Sequence, residues 1–333
     1  MATPISLSGY RPFFGLEQAR ARLSALTSGA ASQSEATPET TGFSGGAYAE
    51  IEVEFDAELE ACWCWMNPAE APSFTPDLLR DISSHQRAIR EAFAARRAEA
   101  PPPLKQWVLA SRLPGIFNLG GDLERFAGWI RDRDRDALRA YAHACIDVLH
   151  ENAVGFDQPV ITIALVQGDA LGGGFEAALS CDAIVAERGA KFGLPEILFN
   201  LFPGMGAYSL LARRIGAAQA ERMIMSGKLY TAEELHALGV VQTLAEPGEG
   251  VAETHRLLTR NQRRHNGLSA IYRAGRRVTP IPYEELRDVT ELWVETALGI
   301  SPSDLRKMER LTAAQDKRLQ ASIEIEAARD AAE

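Results

Sequence analysis

The sequence predicts an α/β domain that gives way to a helical C-terminal portion. Three observations carry that expectation. Residues 49–55 alternate strictly between polar and apolar side chains, and residues 61–66 follow with sheet-favouring Trp, Cys and Met. Residues 159–167 form a continuous apolar run that ends in a glycine-rich turn, and residues 251–320 show helical periodicity without a convincing strand. Alternation marks a half-buried strand, whereas an unbroken apolar run marks a strand covered on both faces.

Taken in order, residues 1–46 are rich in Ala, Ser, Thr, Gly and Pro and bury little. They are expected to form a flexible extension with a short helix at 16–26 as its only candidate element. The α/β core is placed at 47–250. Its first strand (49–55) and the segment 61–66 form a hairpin. Thr75-Pro76-Asp77 places a capping hydroxyl, a first-turn proline and an acid in the order that opens a helix. That helix should run to about residue 97, where Pro101-Pro102-Pro103 stops the chain. A short strand at 107–110 precedes a helix over 122–151 with a charged break at 131–136. Strands are expected at 183–186 and 191–192, with a short helix at 173–180. Helices at 207–215 and 217–225 end at Gly216 and Gly227, read as left-handed stops. Thr231-Ala232-Glu233-Glu234 is a capping box whose helix Gly239 closes. Residues 251–320 are read as helical and 321–333 as a fraying tail.

The chain has 333 residues and a net charge of −10, with 46% hydrophobic and 24% charged residues. That is the composition of a globular protein with ample core. No run approaches the ~18 apolar residues of a membrane span, and overall acidity disfavours nucleic acid as a partner. Cys62, Cys64, Cys145 and Cys181 fit neither a disulfide framework nor a CxxC pair, so a reducing, cytoplasmic setting is expected. No cationic start followed by an apolar stretch suggests secretion. The absence of HExxH, G-x-S-x-G and ligand-spaced Cys/His clusters removes zinc and serine-hydrolase chemistry, and no metal is expected.

Three segments carry chemistry. In Gly168-Asp169-Ala170-Leu171-Gly172-Gly173-Gly174-Phe175-Glu176 a buried strand feeds glycines that open a helix. Unpaired first-turn amides and the helix dipole there favour negative charge, whether phosphate, carboxylate or a developing oxyanion. The run is neither GxGxxG nor a P-loop, which disfavours a nucleotide. Glycines that serve only close packing, with Glu176 a surface acid at the positive helix end, remain the plainer alternative. Gly193-Leu194-Pro195-Glu196 places one acid among Ile197, Leu198, Phe199, Leu201 and Phe202. A carboxyl in such company should have a raised pKa, unless it simply faces solvent. Phe117-Asn118-Leu119-Gly120-Gly121-Asp122 is a third, weaker turn that could present a free amide.

Together, segments 117–123, 166–182 and 193–206 resemble the three signature segments of the crotonase (enoyl-CoA hydratase/isomerase) superfamily, over roughly residues 48–245. The resemblance implies a ClpP/crotonase-like fold of repeated ββα units, with a helical C-terminal region that helps build homotrimers and the acyl pocket. It implies an oxyanion hole from the amides of Gly121 and Gly173 and a catalytic carboxylate pair, Glu176 and Glu196. Segments 117–122, 164–181, 198–208, 281–286 and 293–297 are more similar to the bacterial diffusible signal factor synthases. Members of that family dehydrate 3-hydroxyacyl carrier protein and hydrolyse the thioester to a free cis-2-unsaturated acid. Leu171, Gly172, Phe175, Met205 and Trp293 would then bind substrate, with Trp293 equally readable as a core residue. No cofactor is implied beyond the phosphopantetheine that the acyl-ACP or acyl-CoA substrate brings. A sensor-kinase receiver domain is an implied partner. The extension at 1–46 departs from the family pattern. An enoyl-CoA hydratase of fatty-acid metabolism, or a binding protein without turnover, are the alternatives.

One further feature is an acid-free stretch containing Arg260, Arg263, Arg264, Arg273, Arg276 and Arg277 on an otherwise acidic chain. It is read as a docking patch for an acidic carrier protein, against the alternative of a solvated helix face or contacts between subunits.

Overall fold

In the computed structural model of the chain, the described residues are Phe43, 47–68, 71–97, 100–311, 313 and 317. Nearly all of the 1–46 extension, the helix expected at 16–26 and the tail at 321–333 lie outside them.

Among the described residues the main sheet has six strands in the order β1-β2-β3-β5-β7-β10. These are β1 (Ile51–Asp56), β2 (Ala61–Met66), β3 (Gln106–Ser111), β5 (Ile161–Val166), β7 (Ala183–Glu187) and β10 (Thr243–Ala245). β1 and β2 pair antiparallel as the expected hairpin, and every other pair is parallel. Alternate residues of β2, β3 and β5 enter two different apolar clusters. Cys62, Cys64, Trp107, Leu109 and Ala164 face the larger one, while Trp63, Trp65, Val108, Ile161 and Ile163 face the other. Both faces are therefore covered, which is why β5 reads as a continuous apolar run.

A second sheet holds the short strands β4 (Ile116–Asn118), β6 (Asp169–Leu171), β8 (Lys191–Gly193) and β9 (Leu229–Thr231) in the order β4-β6-β8-β9. β4, β6 and β8 are parallel and β9 is antiparallel to β8. Each of β4, β6 and β8 follows its main-sheet partner β3, β5 or β7 directly, so the chain repeatedly steps from one sheet to the other before turning into a helix. Of these four strands, only β8 was anticipated from the sequence. Three-residue strands are set by their neighbours and contain too few residues to display a period.

The helices are α1 (Pro76–Ala94), α2 (Leu123–Asp132), α3 (Arg135–Val154), α4 (Gly173–Ser180), α5 (Ala207–Ile215), α6 (Ala217–Ser226), α7 (Ala232–Ala237), α8 (Gly250–Gln262), α9 (His265–Val278) and α10 (Tyr283–Leu298). The Thr75 hydroxyl accepts from Leu78 N and Pro76 opens α1, as the sequence requires. The break between α2 and α3 falls at Arg133, which is left-handed, and Asp134 caps α3. The capping box at Thr231 and Glu234 forms. Gly227 is left-handed, but Gly216 has φ 80° and ψ 151°, an extended kink that lets α6 restart immediately.

Two anchors bear on the ends of the fold. His85 is fully buried on α1, and Trp107 Nε1, which only donates, gives its hydrogen to His85 Nε2 at 3.0 Å. Nδ1 therefore carries the ring proton and donates to the Phe43 carbonyl at 2.9 Å. Burial pulls this imidazole down to about 4. At the other end, Arg213 pairs with Glu285 through two 2.8 Å contacts and seats the start of α10. Arg276 of α9 pairs with the buried Asp182 and also donates to the carbonyls of Val154 and Val160. Burial pushes the Asp182 carboxyl up, and Arg276 opposes that shift. Arg276→Ala leaves the carboxylate buried and uncompensated and should cost about 3 kcal/mol, read from the denaturant midpoint.

Candidate active site

Three loops leave the C-terminal ends of β4, β6 and β8, which lie side by side. In the first loop, Gly120 N donates to the Asn118 side chain at 2.8 Å, and Gly120 O accepts from Phe74 N at 2.7 Å. Among the described residues no peptide bond is cis, so the Gly121 N–H points opposite to the Gly120 carbonyl, away from Phe74. Gly120 has φ +101°, and a Cβ there would come within 3.0 Å of the Leu171 carbonyl oxygen and 3.2 Å of Gly173 N. Only glycine allows this approach.

In the second loop, Gly172 N donates to Gly193 O at 2.8 Å, tying the second loop to the third. Gly172 O accepts from Glu176 N at 3.0 Å as the first bond of α4. By the same trans geometry, the Gly173 N–H points out from the helix N-terminus. Gly174 sits against Asn118, whose carbonyl oxygen would lie 2.0 Å from an added Cβ. Among the described residues, neither the Gly121 nor the Gly173 amide donates a hydrogen bond. Two free donors thus face the same space.

Two carboxylates share it. Glu176 is 1% exposed, and its Oε1 accepts from Met205 N and Ala207 N, both at 2.8 Å. It therefore sits in the first turn of α4 and also caps α5. Burial pushes its carboxyl up to about 7, against the opposing pull of the Ala207 and Met205 amides. Glu196 stands in the first turn of a 3₁₀ segment, Pro195–Phe199. The residue as a whole is half-buried, yet its Oε2 is sealed from solvent and has no partner. Burial, then the charge of Glu176, pushes this carboxyl up to about 8. The solvent-facing alternative for either acid does not match these placements.

Gly121, Gly173, Glu176, Glu196, Met205 and Trp293 all line one cavity of about 40 Å³. Gly172 is not in the lining but lies behind Glu196, whose Oε1 would be 2.6 Å from a Cβ there. Leu171 and Phe175 are not in the lining. Leu171 packs with Ile116 and Leu119, and Phe175 lies in the core against Phe192, with ring centroids 5.3 Å apart. A residue next to the glycine turn need not face the ligand once the helix has begun.

The cavity wall also contains Leu123, Phe126, Tyr141, Ala142, Cys145, Phe199, Leu201 and Gly204, which the sequence reading had not singled out for the site. Leu123, Phe126, Tyr141, Ala142 and Cys145 showed only apolar periodicity on α2 and α3, which equally describes a core, while Phe199, Leu201 and Gly204 lie in the segment around and after Glu196. Trp293 closes the wall, its ring 5.2 Å from Phe126 and lying where a Cβ of Gly204 would be.

The arginine stretch divides. Arg276 is committed to Asp182, and Arg260 lies beside Glu253. Arg263, Arg264, Arg273 and Arg277 are exposed. A single docking face of six arginines is therefore not what the fold presents. Among the described residues, no group of three or more His, Cys, Asp or Glu is placed to hold a metal ion.

Free amides opposite buried acids, at the ends of stacked ββα units, define a crotonase-fold site. The enoyl-CoA hydratase/isomerase family matches residues 85–273, more than half of the chain, and the chain belongs to that family. It is 36% identical over 140 residues to a probable enoyl-CoA hydratase of Rhizobium meliloti (strain 1021), covering 41% of this chain and 54% of the relative. It is 39% identical over 154 residues to 2,3-dehydroadipyl-CoA hydratase of Escherichia coli (strain K12), covering 46% and 56%. The chain thus spans about half the length of the curated relatives it matches. Among solved structures, enoyl-CoA hydratase from Bacillus halodurans superposes with TM-score 0.64 at 24% identity, covering 78% of this chain and 98% of that one. DspI of Pseudomonas aeruginosa superposes with TM-score 0.54 at 22% identity, covering 78% and 89%. These two likenesses are of fold.

The buried acids make stability depend on pH. An acid whose folded pKa lies above its unfolded value stabilises fully below the unfolded pKa, and that contribution is lost as pH rises through the folded one. For Glu176 and Glu196 the window runs from about 4.5 to about 7 and 8. Glu196→Gln removes one of the two excess protons. Between pH 5.5 and 6.5 its unfolding free energy should fall less steeply than that of the wild type, by on the order of 1 kcal/mol per pH unit. Urea titrations at several pH values measure this, and parallel slopes would contradict it.

Proposed function

We propose that this chain is a diffusible signal factor synthase: it dehydrates a 3-hydroxyacyl thioester on acyl carrier protein to the cis-2-enoyl thioester and then hydrolyses it to the free acid. The observation that carries the reading is the meeting of two carboxyls of raised pKa with two free amides in one cavity. Support for the narrower substrate comes from the resemblance in segments 117–122, 164–181, 198–208, 281–286 and 293–297.

Removing a proton from the carbon beside a thioester places negative charge on the carbonyl oxygen. The Gly121 and Gly173 amides would hold that oxygen, and one such donor is worth about 2.7–4 kcal/mol. Glu176, the more acidic carboxyl and the one steadied by two amides, takes the proton at Cα. Glu196, which keeps its proton to higher pH, gives it to the leaving C3 hydroxyl, and water departs. In hydrolysis the same pair orients a water at the carbonyl, the C–S bond breaks and the carrier thiol leaves.

A cavity of about 40 Å³ has room for a few ordered waters but not for an acyl chain. Acyl binding therefore requires side chains such as Met205, Phe126 and Trp293 to move. The reading includes a cytoplasmic homotrimer, since α9 buries only Ser269 and exposes Ile271 and Val278, and regulation by a receiver domain. Hydration of an enoyl-CoA is the second reading, favoured by the hydratase names of the matched relatives.

Mass spectrometry of the protein incubated with 3-hydroxyacyl carrier protein separates these readings. Free 2-unsaturated acid is expected from the wild type, with Glu176→Ala slower by about 10²–10⁴-fold. Product that stays on its carrier, or turnover only of enoyl-CoA, would overturn the synthase reading in favour of a hydratase. One proton on the carboxylate pair is the active form, so the rate should rise with pH through about 7 and fall through about 8.

A further inference from the structure

The two candidate oxyanion donors are held by different means. Gly173 is positioned by helix geometry, because the bond from Glu176 N to Gly172 O fixes the peptide that carries its amide. Gly121 lies in a loop with no side chain of its own; the Phe126 ring occupies the space a Cβ would take, at 2.7 Å. Only the bonds of its flanking residues can set the direction of its N–H. On one side Phe74 N holds Gly120 O at 2.7 Å. On the other, Asp122 N donates to the Tyr141 hydroxyl at 3.2 Å. That same hydroxyl donates its hydrogen to the Phe74 carbonyl. Tyr141, Phe74, Gly120, Gly121 and Asp122 thus form a closed ring of hydrogen bonds, and the phenol oxygen is its only side-chain member.

We propose that the Tyr141 hydroxyl is the positioning group for the Gly121 amide, clamping the loop between the start of α1 and the start of α2. The proposal rests on the oxyanion reading above and names the residue that maintains half of it. The Tyr141 ring is locked edge-on against Phe126, with centroids 5.0 Å apart, and lies 5.5 Å from Trp129, so the hydroxyl has little freedom to leave. Burial pushes its pKa well above the ordinary phenol value, which keeps the hydrogen in place for Phe74. Without the hydroxyl, the Asp122 amide and the Phe74 carbonyl both lose this partner, and the peptide between Gly120 and Gly121 can rock away from the cavity.

Tyr141→Phe keeps the ring and removes the clamp. Two quantities are read: steady-state kinetics, and the carbonyl stretching frequency of a bound ¹³C-labelled saturated acyl thioester, which reports hydrogen bonding at the thioester oxygen. The wild type should lower that frequency on binding. Tyr141→Phe should lose much of the shift and about tenfold to a hundredfold in kcat, with KM within about twofold, as expected for a donor displaced rather than deleted. A wild-type complex without any shift would sink the oxyanion reading itself. A normal wild-type shift, unchanged in Tyr141→Phe together with unchanged kcat, would overturn the positioning role alone. Site-specific 4-aminophenylalanine at position 141 serves as the second variant, retaining the ring and a polar group toward Phe74. A carbonyl shift restored toward that of the wild type supports the clamp, and one equal to that of Tyr141→Phe contradicts it.

Discussion

The site depends on a backbone constraint: the loops after β4, β6 and β8 touch one another without intervening side chains. Gly120 lies against the Leu171 carbonyl and the Gly173 amide, Gly172 donates to Gly193, and Gly174 rests on the Asn118 carbonyl. A methyl group at several of these points would force the strands apart, because main-chain atoms cannot yield as the end of a flexible side chain can. The close approach also puts the start of α4 at the edge of the cavity. With α4 placed, Glu176 follows one turn later, and its bonds to Met205 and Ala207 then locate the start of α5.

Electrostatics at this junction runs against stability. Glu176 stands in the first turn of α4 and accepts two amides at the start of α5, both of which favour its anion. Burial nevertheless outweighs them and raises its pKa. Glu196 has no compensating amide pair; it faces the charge of Glu176 with an unpartnered oxygen and is raised further. A protein selected for stability alone would replace such a pair with apolar residues. Near neutrality the arrangement supplies both a proton acceptor and a proton donor, the two roles that addition or loss of water across Cα–Cβ requires.

Much of this was legible in the sequence because it rests on local physics. The turn and helix at Gly172–Glu176 follow from glycine conformational freedom and first-turn chemistry, and the helix starts at Thr75 and Thr231 from capping. The continuous apolar run of β5 already implied two covered faces. Other features were not legible. β4 and β6 are three residues long and exist because β6 pairs with β4 on one side and with β8 on the other. Phe126, Tyr141 and Cys145 read as ordinary core positions, since aromatic and small apolar residues at helical spacing fit a core and a ligand cavity equally well. Arg276 looked like one of six surface cations until Asp182, 94 residues away in sequence, claimed it.

The sequence by itself determined which residue types stand where: glycines at three turns, an acid one turn into α4, and a second acid after Pro195. These follow from steric and hydrogen-bonding rules acting within a few residues. Tertiary structure decided which amides stay free, which carboxyl oxygen is left without a partner, and which aromatic side chains wall the cavity. Those outcomes depend on desolvation and on contacts between segments far apart in the chain. The direction of the Gly121 amide, for example, depends on Phe74 and Tyr141, which no local pattern connects.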